Sequence, residues 1–174
     1  VTLNVTPVND APVADADKTV TVAEDAGNNA LGIAAPTDVD GDPLAIAVTG
    51  IPNASIGTVY LADGTTPVTN GMTLTSAQLA GLVFRPVADA NGAAGSFSYT
   101  VSDSNGGSDS QTVTLGVTPV NDVPVADADK TVTVAEDSGN SALGIAAPTD
   151  VDADPLTITV TGVPPGSGIR LGID

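Results

Sequence analysis

Short runs rich in Val, Thr, Ile and Leu alternate along this chain with clusters of Gly, Asn, Asp and Pro, the pattern of β-strands joined by turns. Within the runs, apolar side chains recur on every second residue, as in Phe97/Tyr99/Val101 and Val113/Leu115/Val117, so each strand turns one face to a core. The pattern predicts strands at 18–23, 30–35, 44–50, 57–61, 82–86, 96–102 and 111–120. One helical turn is expected at 75–79, where Ser76-Ala77-Gln78 combines cap and helix-former chemistry. Seven strands in about 110 residues predict an all-β, Ig-like antiparallel sandwich. Tyr60, Phe84, Phe97 and Tyr99 are then core or near-core residues.

The pattern also repeats. VTPVND at 5–10 returns at 117–122, an offset of 117 − 5 = 112. Residues 5–52 and 117–164 agree at 41 of 48 positions and differ at Ala11/Val123, Ala26/Ser138, Asn29/Ser141, Gly41/Ala153, Ala45/Thr157, Ala47/Thr159 and Ile51/Val163. The opening VTLNVTPVND likewise matches VTLGVTPVND at 113–122. A period this long exceeds a solenoid unit and suits whole domains in tandem. The expected organisation is therefore the last strand of a preceding repeat with its linker at 1–10, a complete repeat with its linker at 11–122, and the first half of another at 123–174. Such a half would expose Val132, Val134, Leu143, Ile145, Ile158 and Val160 unless a neighbour covered them.

Composition narrows the function. The 174 residues include no Cys, His or Trp, which removes disulfides, thiolate and imidazole metal ligands, cysteine nucleophiles and the Ser-His-Asp triad. Four Lys+Arg against 21 Asp+Glu give a net charge of -17, which repels nucleic acid and anionic membrane and favours cations as partners. No apolar run approaches the roughly 20 residues of a membrane span, and the chain reads as a mature or internal segment. A carboxylate pair could in principle hydrolyse glycosides, but Trp is absent and the same Asp motifs recur in each repeat, which disfavours an enzyme.

The acidic residues gather at VND, AED, TDVDGD, VADANG and SDSNGGSD, each beside a predicted strand end. Asp and Asn are ordinary turn residues, so a single motif of this kind reads first as a solvated turn. Together they supply the oxygen-only ligand set that Ca²⁺ requires.

In this order the motifs resemble cadherin and bacterial cadherin-like repeats. Pro7-Val8-Asn9-Asp10-Ala11-Pro12 and Pro119-Val120-Asn121-Asp122-Val123-Pro124 stand where that family has its DxNDN linker, with Pro and Ala or Val in place of the first Asp and last Asn. Glu24, Asp38-Val39-Asp40, Asp89 and Asp103 follow in the family's order of strand Glu, DxD, pre-strand acid and late Asp, although Asp89 lies in FRPVADANG rather than an LDRE motif. The resemblance implies an upstream cluster of Asn9 and Asp10 with Asp38, Asp40 and Asp103. It implies a downstream cluster of Glu24 and Asp89 with Asn121, Asp122, Asp150 and Asp152, and Glu136 takes the place of Glu24 in the second repeat.

The resulting expectation is a non-enzymatic, calcium-binding repeat of an extracellular adhesin or surface filament, similar to the extender regions of large secreted bacterial surface adhesins. Its cofactor would be Ca²⁺, stiffening the junctions between repeats, and its partners neighbouring repeats of the same chain or strands of another copy. Nucleic acid and membrane insertion are not expected. Two other readings stand beside it: a module binding a glycan or protein receptor, and a self-assembling fibre or surface-layer subunit.

Overall fold

The computed structural model describes residues 1–163, so 164–174 of the expected half-repeat lie outside the described residues. The chain divides into two compact units, Val1–Val120 and one that begins at Asn121.

The first unit contains eight strands and one short helix: β1 (Lys18–Ala23), β2 (Asn29–Ala30), β3 (Ala45–Gly50), β4 (Gly57–Tyr60), β5 (Thr73–Leu74), α1 (Ser76–Ala80), β6 (Val83–Pro86), β7 (Gly92–Ser102) and β8 (Ser108–Thr118). They form a five-stranded sheet in the order β1-β8-β7-β3-β5 and a three-stranded sheet in the order β2-β6-β4. This is the expected all-β sandwich. Its ladders are antiparallel apart from β1 and β8, which run parallel with Lys18 opposite Val113 and Ala23 opposite Thr118.

Alternation places the core where the sequence puts it. Phe84, Phe97, Leu82, Leu79 and Val101 are fully buried, with Tyr99, Ile46, Val48, Val59 and Leu115 at 1% exposure. The Phe97 and Tyr99 rings lie 6.0 Å apart at 29°. Burial pushes the Tyr99 phenol up to about 12, helped by the nearby carboxylates of Asp15, Asp109 and Asp17. Tyr60 is half-buried, its ring covered by the Arg85 guanidinium 4.3 Å away.

β7 and β8 begin earlier than expected, at Gly92 and Ser108, and three further departures are local. The strand expected at 30–35 shrinks to Asn29–Ala30, because Gly32 takes φ 65° and ends the extended run, although Leu31 and Ile33 still reach the core. β5 is only two residues long, too short for alternation to reveal it. The helix starts one residue later than expected because Thr75 is its N-cap: the Thr75 hydroxyl accepts from Gln78 N and the Gln78 side chain accepts from Thr75 N.

Residues 1–10 are exposed throughout and form no strand. Of their counterpart at 113–122, residues 113–118 belong to β8, which β1 and β7 flank. The described part of the second unit likewise contains no ladder strand, only a bridge between Val125 and Thr149 that repeats the Val13–Thr37 bridge of the first.

Candidate metal centre

The upstream cluster forms where one bridge sews the linker to the loop before β3. Val13 and Thr37 exchange two backbone hydrogen bonds of 2.8 and 3.0 Å, which sets Asn9 and Asp10 beside the Asp38-Val39-Asp40-Gly41-Asp42 turn. Within that turn the Asp38 Oδ1 accepts from the amides of Asp40 at 2.9 Å and Asp42 at 3.3 Å, an Asx-type turn. The linker then closes on it, with Asp10 N donating to Asp40 Oδ2 at 2.8 Å.

The β7–β8 hairpin supplies the other wall. Asp103 Oδ1 accepts from the amides of Asn105 and Gly107, each at 2.8 Å, while its Oδ2 accepts from Asn9 Nδ2 at 3.0 Å. These bonds, the Asn9 amide foremost, hold the Asp103 carboxyl below the usual carboxylate range. Asn105 Nδ2 reaches across to Asp42 Oδ2 at 2.6 Å. A Cβ at Gly107 would lie 2.3 Å from Asp103 Oδ2 and 2.8 Å from Ala11 Cα, so only glycine lets hairpin and linker approach this closely.

Hydrogen bonds thus join Asn9 to Asp103 and Asp10 to Asp40, beside Asp38. The sequence reading missed Asp42 and Asn105, though the i, i+2, i+4 spacing of Asp38, Asp40 and Asp42 was a signal for the first. Carboxylate oxygens of these three lie within 4.8 Å of one another. At such distances like charges repel by about 0.9 kcal/mol per pair in water, which a cation among them would reverse. Asp38 Oδ2 is buried without a hydrogen-bond partner. The protein's own cations are engaged elsewhere among the described residues: Lys18 with Asp15 at 2.5 Å, Lys130 with Asp127 at 2.6 Å, and Arg85 over Tyr60. An orphaned carboxylate oxygen in an all-oxygen donor set fits a hard cation such as Ca²⁺.

The second unit rebuilds the same turn. Asp150 Oδ1 accepts from the amides of Asp152 at 3.0 Å and Asp154 at 3.3 Å, and Asp152 Oδ2 accepts from Asp122 N at 2.7 Å. The turn persists although Ala153 replaces Gly41 and holds φ 60°, a conformation that costs a non-glycine residue about 1–2 kcal/mol. Asn121 caps its own linker, donating to Asp122 O at 2.9 Å.

The residues of the expected downstream cluster divide between the units, with Glu24 and Asp89 in the first and Asn121, Asp122, Asp150 and Asp152 in the second. Glu24 is 2% exposed, its oxygens accepting from Val120 N at 2.7 Å and Asn91 Nδ2 at 3.1 Å. Asp89 sits in a turn at φ 57° with its amide directed to Asp25 Oδ1 at 3.3 Å. Glu136, the counterpart of Glu24, is exposed.

The family signature of the bacterial Ig domain matches residues 9–116, which span both walls of the first cluster and the strands of the first unit up to Gly116 in β8. No curated protein matches the chain. Among the described residues no helix is long and apolar enough to cross a membrane.

Proposed function

This chain belongs to the bacterial Ig domain family, a family of structural surface-protein modules, and from that premise we propose that it is a non-enzymatic, calcium-binding repeat of an extracellular adhesin. One observation carries the reading. The same acidic turn, tied to the same linker aspartate, occurs in both units with matching hydrogen bonds: Asp38, Asp40 and Asp10 in one, Asp150, Asp152 and Asp122 in the other. A plain solvated turn gives no reason to gather so many carboxylates twice, nor to bury an oxygen without a partner.

In the first unit Asn9, Asp10, Asp38, Asp40, Asp42 and Asp103 would hold the ion, and Ca²⁺ would supply the positive charge that lets linker and loops converge. Its role is structural. An ion held jointly by linker and domain takes rotational freedom from the linker, so a tandem array of such repeats behaves less like a jointed chain and more like a rod. The acidic composition fits the same role: without calcium the clusters repel themselves, and at extracellular calcium they close.

Calorimetric titration with calcium tests this. An ion bound only by the folded state adds about 2.7 kcal/mol at a hundredfold excess over Kd, and extracellular sites commonly have Kd of about 10⁻⁴ to 10⁻³ M. Binding heat at millimolar calcium and a higher Tm than in chelator are expected. A Tm unmoved by calcium, with no binding heat, would sink the proposal.

A further inference from the structure

Asn-Gly occurs three times in the chain, as Asn70-Gly71, Asn91-Gly92 and Asn105-Gly106, each in or beside a turn. Asparagine is a thermolabile residue, and a following glycine makes it more so, because no Cβ keeps the glycine nitrogen away from the asparagine side chain. The fold treats the three sites differently.

At the first, Gly71 N donates to Val48 O at 2.8 Å, so the nitrogen that would attack Asn70 is already engaged with β3. At the second, Asn91 Nδ2 donates at 3.1 Å to Glu24, which is 2% exposed, and Gly92 stands in the β7–β8 ladder opposite Val117. Asn105-Gly106 has neither restraint. Both residues are exposed at the tip of the β7–β8 hairpin, where Gly106 takes φ 102°. Gly106 N donates to no main-chain carbonyl among the described residues and faces the Asp103 carboxylate instead. The Asn105 side chain is held through Nδ2, by an exposed bond of 2.6 Å to Asp42 Oδ2.

We propose that Asn105-Gly106 is a self-modification site, at which the chain deamidates and so releases the hairpin from the Asp38–Asp42 turn. Gly106 N attacks Asn105 Cγ; the N–Cγ bond forms, the Cγ–Nδ2 bond breaks, and the amide nitrogen departs as ammonia with the proton from Gly106 N. Water then opens the cyclic imide at either carbonyl, giving aspartate or isoaspartate. No oxidant or reductant is consumed. Either product puts a carboxylate where an amide donated to Asp42 Oδ2, so an attraction across the cluster becomes a repulsion. Isoaspartate also inserts a methylene into the main chain between residues 105 and 106, inside the turn that Asp103 Oδ1 closes on the amides of Asn105 and Gly107. The site needs no second protein, and the inference does not rest on the calcium reading.

Peptide mapping by mass spectrometry tests it on the whole chain, aged in chelator in mildly alkaline buffer, once folded and once in urea. In urea the three Asn-Gly sites should deamidate at similar rates. In the folded chain Asn105 should outpace Asn70 and Asn91 by at least about tenfold, since only its turn opens without breaking a ladder or a buried contact. If Asn105 is no faster than the other two in the folded chain, or leads by the same margin in urea, the fold does not select the site and the proposal fails. The deamidated chain, separated by anion exchange on its added charge, should melt below the parent in chelator, and Asn105→Asp should show how much of that drop comes from charge alone. A deamidated chain with the parent's Tm would mean that the hairpin does not depend on the Asn105–Asp42 contact, which overturns the proposed release. Every arm is run without calcium, so this proposal and the calcium reading fall separately.

Discussion

Replacing Asp38 by asparagine should stabilise the first unit without calcium and destabilise it with calcium. Oxygens of Asp38, Asp40 and Asp42 lie within 4.8 Å of one another. At about 4.8 Å two unit charges repel by about 0.9 kcal/mol in bulk water. Asp40 is exposed and Asp42 half-buried, so the water value is the appropriate one. A Debye length of about 8 Å at physiological salt removes roughly half of it. Losing two such repulsions therefore gains about 1 kcal/mol. Asparagine keeps the Oδ1 that accepts from Asp40 N at 2.9 Å and Asp42 N at 3.3 Å, so the turn survives. With calcium the balance reverses. At about 5 mM, an ion with Kd about 10⁻⁴ M adds about 2.3 kcal/mol to the parent, and a site weakened about a hundredfold adds only a few tenths. The variant then lies about 1 kcal/mol below the parent, or roughly 4 °C in Tm for a domain of this size. Thermal unfolding followed by circular dichroism, in chelator and in millimolar calcium, should show the two proteins exchanging order. The same order under both conditions would refute the reasoning.

Other consequences follow from single contacts. Gly107→Ala places a methyl against Ala11 Cα and should cost about 1–3 kcal/mol in urea denaturation while weakening calcium binding; a neutral result would mean that the hairpin and linker do not pack as described. Glu24→Ala should cost about 1–3 kcal/mol because Asn91 and Val120 N lose a buried acceptor, whereas Glu136→Ala should stay within about 0.5 kcal/mol; equal effects would contradict the difference in their burial. In a Tyr60→Phe background, phenolate absorbance should report Tyr99 with a midpoint of about 12. Since the folded value lies above the ordinary 10.0, the stability that Tyr99 confers is complete below pH 10 and is lost as pH rises towards 12. A midpoint near 10 in a folded protein would show the ring to be solvated.

The sandwich was legible in the sequence because alternation is a local signal: Phe97/Tyr99/Val101 and Val113/Leu115/Val117 declare their buried face without reference to any partner. What pairs with what was not legible. Nothing in Lys18–Ala23 indicates that it joins β8 in parallel, since the register arises from the whole sheet closing. The candidate centre divides in the same way. Asp38 and Asp40 stand out by spacing, and the linker Asn9 and Asp10 by repetition 112 residues on. Asn105 joins through a turn amide that reaches Asp42 across 63 residues, and no local pattern encodes that approach. Glu24 is the reverse case. It entered the expected ligand set only through the family resemblance, and no local pattern announced that the fold would bury it as an acceptor for Asn91 Nδ2 and Val120 N.

The parallel pairing of β1 with β8 has a mechanical consequence. These are the first and last strands of the domain, and they run side by side in the same direction over Lys18–Ala23 and Val113–Thr118. Tension applied through the linkers at either end pulls β1 backwards along its axis and β8 forwards along its own. The rungs between them are then loaded together, across the direction of pull, instead of opening one at a time like a zipper. A domain tethered in this way resists extension at its two ends, where β1 and β8 meet the linkers.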